Sequence, residues 1–276
     1  MFLEEMKAEK ILFITQEITP FVPESPIAKV SHDLPQAIQD KVKEIRIFTP
    51  LWGTINTRRN NLHEVIRLSG MNLIIDDTDH PLIIKVASLL SARMQVYFIE
   101  NDDYFHNRLM TKDENGVEYS DNDERLIFFN LGVLEAVKKQ RWCPEIIQCN
   151  GWMAALAPLY ARSAYKEEPS FRDSKIVISL FDEEFNGTLA DGFKKKLLCK
   201  DMQEEVISEL GENVTYEELI KLAIRNCDGI IVNGDNIPTK FIEYAESLGK
   251  AILPKQEPEA FADACYGFYT QLLNNE

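Results

Sequence analysis

The sequence predicts an α/β protein with one Rossmann-like, doubly wound and mainly parallel sheet. Short β-branched runs alternate along the chain with longer amphipathic segments. Several runs are apolar at nearly every residue, as strands buried on both faces of a parallel sheet must be. Strands that alternate with helices give a sheet covered by helices on both sides.

The predicted strands share a core of Ile, Val, Leu and Phe. In chain order they are 11–14, 45–48, 83–86, 96–99, 146–149, 176–178 and 230–232. No internal repeat and no Pro/Gly/Ser-rich linker divides the chain, so we expect a single domain over residues 1–276.

The helices between the strands carry recognisable end signals. Ser120 followed by Asp123 resembles a capping box, and apolar residues recur at helical spacing from 126 to 137. Thr215 with Glu218 repeats the same device before a second amphipathic segment.

Two further helices are predicted nearer the C-terminus. A shorter helix is expected over 201–210, ended by Gly211, and a longer one from Pro258 to Leu273. The segment 233–257 between them is expected to be irregular.

Composition excludes several classes of protein. The 276 residues carry a net charge of −15, and 45% of them are hydrophobic. That apolar content is typical of a globular chain rather than a disordered one. An acidic balance with scattered Lys and Arg argues against a nucleic-acid partner, and the run 194–196 is too short to change this.

Nothing in the sequence predicts a membrane segment or a secretory signal. No stretch reaches the ~18 apolar residues of a membrane helix, and the N-terminus contains early acids in place of an apolar core. The five cysteines are widely spaced and form no CxxC pair, which favours free thiols in a reducing compartment. We therefore expect a cytoplasmic protein.

The loop after the first predicted strand is unsuited to phosphate. A phosphate cradle needs glycines, whose backbone N–H groups approach the anion, and a Lys. Residues 15–26 contain neither, and instead hold three prolines and the acidic Glu24.

The sequence contains little evidence for a metal site or for a covalent nucleophile. None of the four histidines stands at metal-ligand spacing from another His, a Cys or a carboxylate, and no GxSxG motif or Cys/His arrangement occurs. We therefore predict no metal, no cofactor and no covalent nucleophile. The acidic clusters 76–79, 100–103 and 182–184 are interpreted as solvated turns, although 182–184 directly follows a buried strand at its carboxyl end.

Taken together, several segments resemble the N-terminal domain of bacterial glycogen synthases and plant starch synthases. The matching segments are 10–21, 34–38, 48–53, 97–105, 119–125 with Phe128 and Phe129, 142–147 and 226–232. The resemblance implies the N-terminal half of a GT-B glycosyltransferase, over roughly residues 8–245. It also implies that helix 258–273 packs back on this domain, as the final helix of the two-domain enzymes does.

This sequence differs from the family at three motifs that carry the family's chemistry. The family's Lys-Thr-Gly-Gly-Leu loop aligns with residues 23–27, its His-Asp-Trp motif with 150–152, and its Thr-Ile-His-Asn strand end with 179–182. The Lys, the glycines and both histidines are thus replaced. The family's second domain, which supplies most contacts to the nucleotide sugar and an essential carboxylate, has no match in this sequence.

No catalytic residue is carried over by the resemblance. It implies only a residual sugar pocket of Glu17, Asn122, Arg125, Asn150 and Trp152. Each also has a structural interpretation: Glu17 capping a turn, Arg125 pairing with a nearby acid, Trp152 filling the core.

Three functions remain open. The first is a homologue of the ADP-glucose:α-glucan glucosyltransferases that lacks activity alone and binds α-glucan or acts in regulation. The second is an active half that takes its donor site from a partner protein at the open cleft. The third is a scaffold that binds no sugar.

Overall fold

The computed structural model describes residues 6–89 and 94–275. The expectations for the acidic N-terminus, residues 1–5, and for the ends of the 1–276 domain lie outside the described residues. Within them, no helix is long and apolar enough to cross a membrane.

The centre of the molecule is one ten-stranded sheet with the order β10-β9-β8-β7-β1-β2-β6-β5-β3, in which β4 pairs with β5 off this path. The strands are β1 (Lys10–Thr15), β2 (Glu44–Pro50), β3 (His63–Glu64), β4 (Met71–Ile75), β5 (Thr78–Leu89), β6 (Met94–Glu100), β7 (Ile146–Asn150), β8 (Lys175–Leu180), β9 (Gly229–Val232) and β10 (Ala251–Leu253).

The sheet confirms the predicted fold class. From β10 through β9, β8, β7, β1 and β2 to β6, neighbouring strands are parallel. The strands β3, β4 and β5 add antiparallel pairs. Every residue of β7 is buried, because a central parallel strand is covered on both faces. Each predicted strand is present, whereas β3, β4 and β10 were not predicted.

Helices cover the sheet in two groups. They are α1 (Pro26–Ile38), α2 (Asn122–Lys139), α3 (Ala157–Arg162), α4 (Phe193–Leu197), α5 (Tyr216–Asn226), α6 (Thr239–Ser247) and α7 (Pro258–Asn274). α1 contacts α7, whereas α2, α3, α5 and α6 contact one another in succession.

One of the two predicted capping boxes is confirmed. The Thr215 hydroxyl accepts from the backbone N–H of Glu218, whose carboxylate accepts from the backbone N–H of Thr215. The box at Ser120 was wrong, because α2 has Asp121 at its N-cap and no side-chain capping bond. The Asp121 carboxylate is instead engaged by both terminal nitrogens of Arg108, at 2.5 and 2.7 Å.

Two other expectations are corrected. Residues 201–210 form only a 3₁₀ turn, Glu204–Ile207, and one turn is enough to bury Ile207 and Leu210. The segment 233–257 is not irregular, since it contains α6 and β10. Phe241 and Ala245 anchor α6 in the core, and β10 extends the sheet beside β9.

Helix α7 packs its buried face onto the rest of the fold. Phe268 lies against Gly229 of β9, where a Cβ atom would come within 2.7 Å of the Phe268 ring. The buried Tyr269 hydroxyl donates to Gln148 Oε1 of β7 at 3.0 Å. The absence of a side chain at Gly229 therefore allows the close approach of α7.

Replacing Tyr269 with Phe is expected to lower the free energy of unfolding by about 1–2 kcal/mol, because it leaves the buried Gln148 Oε1 without its donor. Urea denaturation measures the loss. Tyr266→Phe is the control: that hydroxyl donates to Lys41 O at an exposed site, so its loss should stay within about 0.5 kcal/mol. Equal losses for both variants would contradict the expectation.

Candidate functional site

The site lies where the order of the sheet reverses, between β1 and β7. On one side of this point β2 pairs with β1, and on the other side β8 pairs with β7. Open α/β sheets bind ligands beyond the carboxyl ends of the strands at such a switch point. Glu17 follows β1, and Asn150 and Trp152 lie at the end of β7, so the parallel pairing brings these predicted residues to one edge.

The loop after β1 is held by its own side chains. The Glu17 carboxylate accepts from the Ser25 hydroxyl and, at 3.0 Å, from Gln16 Nε2. Ser25 in turn caps α1, with its Oγ accepting from the backbone N–H of Ala28 at 3.0 Å. Glu17 is buried and braces the start of α1.

Asn150 is fully buried, and its amide is used internally. Its Nδ2 donates to Ser31 Oγ at 3.2 Å, and its Oδ1 accepts from Gln148 Nε2 at 3.0 Å. Gln148 Nε2 also donates to Ser179 Oγ at 2.8 Å. A polar network therefore links β7 to β8 and α1 at the position that aligns with the histidine of the family's His-Asp-Trp motif.

Trp152 opens the turn that follows β7. Gly151 precedes it with φ +84°, and a Cβ there would lie 2.8 Å from the Gln16 Cβ, so the turn requires glycine. The Trp152 ring is 3% exposed and its centroid lies 5.0 Å from that of Phe185.

Trp152 and Phe185 line one side of a cavity of about 350 Å³, which we name the tryptophan cleft. Its lining residues are Glu118, Tyr119, Ser120, Asn122, Asp123, Trp152, Phe185, Asn186, Thr188, Leu189, Ala190 and Asp191. The cleft combines an aromatic side with hydroxyl, amide and carboxylate groups, which are the groups that bind sugars.

Asn122 and Arg125 occupy different places relative to this cleft. Asn122 lines it, and its Nδ2 donates to Thr111 O at 2.7 Å. Arg125 is 0% exposed and lies behind it. Its guanidinium donates to Asn122 Oδ1 at 2.7 Å, to Tyr104 O at 2.8 Å and to Leu109 O at 3.0 Å. Burial lowers the pKa of Arg125 to about 10.

A buried ion pair adjoins the cleft through Asp123, which lines it. The Asp123 side chain is 0% exposed and accepts from Lys196 Nζ at 3.0 Å. Burial raises the pKa of this carboxyl, while the ammonium of Lys196 opposes that change. Lys196 also pairs with Glu124 at 2.6 Å, so it joins α4 to the start of α2.

Glu183 is a site residue that the sequence analysis missed. Burial and the charge of Glu17 raise the pKa of Glu183 to about 8. A hydrogen bond with the backbone N–H of Trp152 acts in the opposite direction and lowers this pKa. Two carboxyl groups thus influence each other at the ends of β1 and β8. The available signal was the position of 182–184 directly after a buried strand.

Its neighbour Asp182 has a structural role. The Asp182 carboxylate accepts from the backbone N–H groups of Asp235 and Asn236, both at 2.8 Å. It therefore ties the loop after β9 to the end of β8. These acids and Tyr216 line an adjacent cavity of about 570 Å³.

His106 lies near two carboxylates, those of Glu100 and Asp102, which precede it by six and four residues in the sequence. Ligand atoms of Glu100, Asp102 and His106 lie within 4.8 Å of one another. Glu100 forms an ion pair with Lys85 at 2.7 Å. The Lys85 ammonium therefore already supplies the positive charge next to this carboxylate.

Comparison with known proteins identifies the relatives of this fold. The family model described as the starch synthase catalytic domain matches residues 10–236. A glycogen synthase from Chlorobium limicola is 39% identical over 209 residues, covering 74% of this chain and 42% of that protein. One from Chlorobium phaeobacteroides is 38% identical over 234 residues, covering 82% and 48%.

A solved structure has the same fold. The catalytic domain of starch synthase IV from Arabidopsis thaliana, bound to ADP and acarbose, superposes with a TM-score of 0.69 at 14% identity, covering 91% of this chain and 52% of that one. The chain spans about half the length of the curated relatives it matches. On the family model and these identities, the chain belongs to the starch synthase catalytic domain family and has a GT-B glycosyltransferase domain fold.

Proposed function

We propose that this chain binds an α-glucan in the tryptophan cleft and does not transfer glucose by itself. The proposal rests on a difference between two sets of polar side chains at the switch point: those in the cleft are exposed, and those at the ends of β1 and β7 are bonded within the protein. The cleft beside Trp152 is open and carries exposed polar groups such as Asn186 and Thr188. The polar groups of Glu17 and Asn150 are engaged within the protein.

The local electrostatics support the absence of transfer. A departing nucleoside diphosphate needs preorganised cations and N–H donors. Ser25 lies in the loop that aligns with the family's phosphate loop. Its hydroxyl donates to the Glu17 carboxylate and accepts from the backbone N–H of Ala28 at the start of α1, so both contacts are within the protein. Residues 15–26, which include this loop, contain no Lys or Arg that could supply the cation.

The relatives support the ligand class. The matched proteins carry the name glycogen synthase, and the Arabidopsis domain was solved with acarbose. The chain's cysteines are free thiols, which fits our placement of the protein in a reducing compartment, the cytoplasm.

Native electrophoresis in gels containing glycogen tests glucan binding. We expect the protein to be retarded, and Asn186→Ala to weaken the apparent affinity about fivefold, the effect of one lost hydrogen bond. Asn186 suits the test because it is exposed, lines the cleft and makes no side-chain hydrogen bond within the described residues. Asn72→Ala, at an exposed position on β4, is the matched control and should leave retardation unchanged.

Two results would contradict the proposal. Absence of retardation at high glycogen concentration would leave a scaffold without a sugar ligand. Incorporation of glucose from ADP-glucose into glycogen by the purified chain alone would show that it does catalyse transfer.

A further inference from the structure

A third cavity lies apart from the tryptophan cleft and has a volume of about 810 Å³. We name it the basic cavity. Its walls are residues 19–21 of the loop after β1, His32 of α1, the segment 59–63, residues 86–89 of β5 and Gln95 of β6.

The charge of this cavity is opposite to that of the protein. The chain carries a net charge of −15, yet the described residues that line the basic cavity include Arg59, His32 and His63 and no carboxylate. The tryptophan cleft and the cavity beside Tyr216 each have carboxylates in their walls. Arg59 favours an anion at this place, and the Asp33 carboxylate, which contacts His32 from outside the lining, opposes it.

The cationic groups are available to a ligand. Among the described residues, Arg59 and His63 have no ion-pair partner, and both are exposed. His32 Nδ1 contacts Asp33 Oδ1 at 2.8 Å, and its other ring nitrogen makes no hydrogen bond within the described part of the chain. Arg presents a planar fork of donors that matches the oxygens of a phosphate group.

The rest of the lining suits the polar and apolar faces of a sugar. Gln95 accepts from the Tyr97 hydroxyl through Oε1, which leaves its NH₂ group as a donor. Asn60 donates through Nδ2 to Asn56 O, which leaves its Oδ1 as an acceptor. The Phe21 ring, fixed edge-on against Phe98 with centroids 4.9 Å apart, adds an apolar wall.

From these observations we propose that the basic cavity binds a phosphorylated monosaccharide. Arg59, with the two histidines when protonated, holds the phosphate, and the amides of Asn60 and Gln95 bind ring hydroxyls. The CH face of the sugar lies toward Phe21. A neutral glucan has no anionic group for Arg59, and free phosphate has no apolar face for Phe21.

Isothermal titration calorimetry of the chain with glucose 6-phosphate, orthophosphate and glucose tests the proposal. We expect glucose 6-phosphate to bind more tightly than orthophosphate, and glucose to give no signal. Arg59→Ala should weaken the binding of glucose 6-phosphate at least about tenfold, because a charge-assisted, bidentate contact is lost.

The neighbouring arginine provides the matched control. Arg58 is exposed and does not line the cavity, so Arg58→Ala removes the same net charge and should change the affinity less than about twofold. Equal weakening by both variants would reduce the effect to general charge and overturn the site. So would a lack of glucose 6-phosphate binding, or binding of orthophosphate as tight as that of glucose 6-phosphate. Unchanged thermal midpoints would show that both variants remain folded.

Discussion

Replacing Arg125 with alanine is expected to lower the free energy of unfolding by about 4 kcal/mol, because a buried hydrogen-bond network is broken. The guanidinium donates to the backbone carbonyls of Tyr104 and Leu109 and to Asn122 Oδ1. The variant leaves these acceptors without a donor in a dry environment.

Packing adds to the loss. The Arg125 guanidinium lies 5.2 Å from the ring centroid of Trp52, 4.9 Å from that of Tyr119 and 5.5 Å from that of Phe105. Truncation therefore creates a cavity between aromatic rings as well as orphaned carbonyls. Arg125→Lys retains the charge but not the fork of donors, so we expect an intermediate loss.

Urea denaturation measures these changes, and Arg67→Ala is the control. Arg67 is exposed, and its truncation should cost less than about 0.5 kcal/mol. The residual-pocket prediction from the sequence would assign Arg125 to sugar binding. A stability loss below about 1 kcal/mol together with weaker glycogen retardation would support that assignment and contradict ours.

Glu183→Gln is expected to stabilise the protein at neutral pH and to have little effect near pH 4. In the folded state the pKa of Glu183 is about 8, raised by burial and by Glu17. In the unfolded chain it is about 4.3. Below pH 4 both states keep the proton, so the two proteins differ little.

Between these pKa values the unfolded chain releases the proton while the folded protein retains it. Folding stability therefore falls as pH rises from about 4.3 toward 8, by up to about 3.6 kcal/mol at pH 7. Glutamine cannot ionise and avoids this loss. The prediction is thus a difference between parent and Glu183→Gln that grows with pH.

Urea denaturation at pH 4, 5, 6 and 7 measures this dependence. Glu184→Gln is the control, since Glu184 is the exposed neighbour on the same loop and should change stability by less than about 0.5 kcal/mol at each pH. A Glu183→Gln effect that is the same at pH 4 and pH 7 would contradict the raised pKa.

The strands of the sheet could be predicted because their signal is local. Runs such as those in β1, β7 and β8 are buried at almost every residue, and continuous apolar runs are visible in the sequence itself. The two-residue strand β3 and the three-residue strand β10 are too short to show a period, and they form only because β5 and β9 offer a free edge.

Of the two capping boxes predicted at helix N-termini, only the one at Thr215 is present. The capping box at Thr215 is made within its own turn, so four residues of sequence suffice to predict it. At Ser120 the same pattern failed: α2 has Asp121 at its N-cap, and both terminal nitrogens of Arg108 bind that carboxylate.

By itself, the sequence determined the parallel α/β fold, the family, and the position of Glu17, Asn150 and Trp152 at strand ends. These follow from periodicity and motif, which need only neighbouring residues. The tertiary structure alone decided that Arg125 is buried behind the cleft, that Glu183 faces the charge of Glu17, and that a cavity without carboxylates exists in an acidic chain. Burial and charge proximity depend on residues distant in sequence, and only the folded chain brings those residues together.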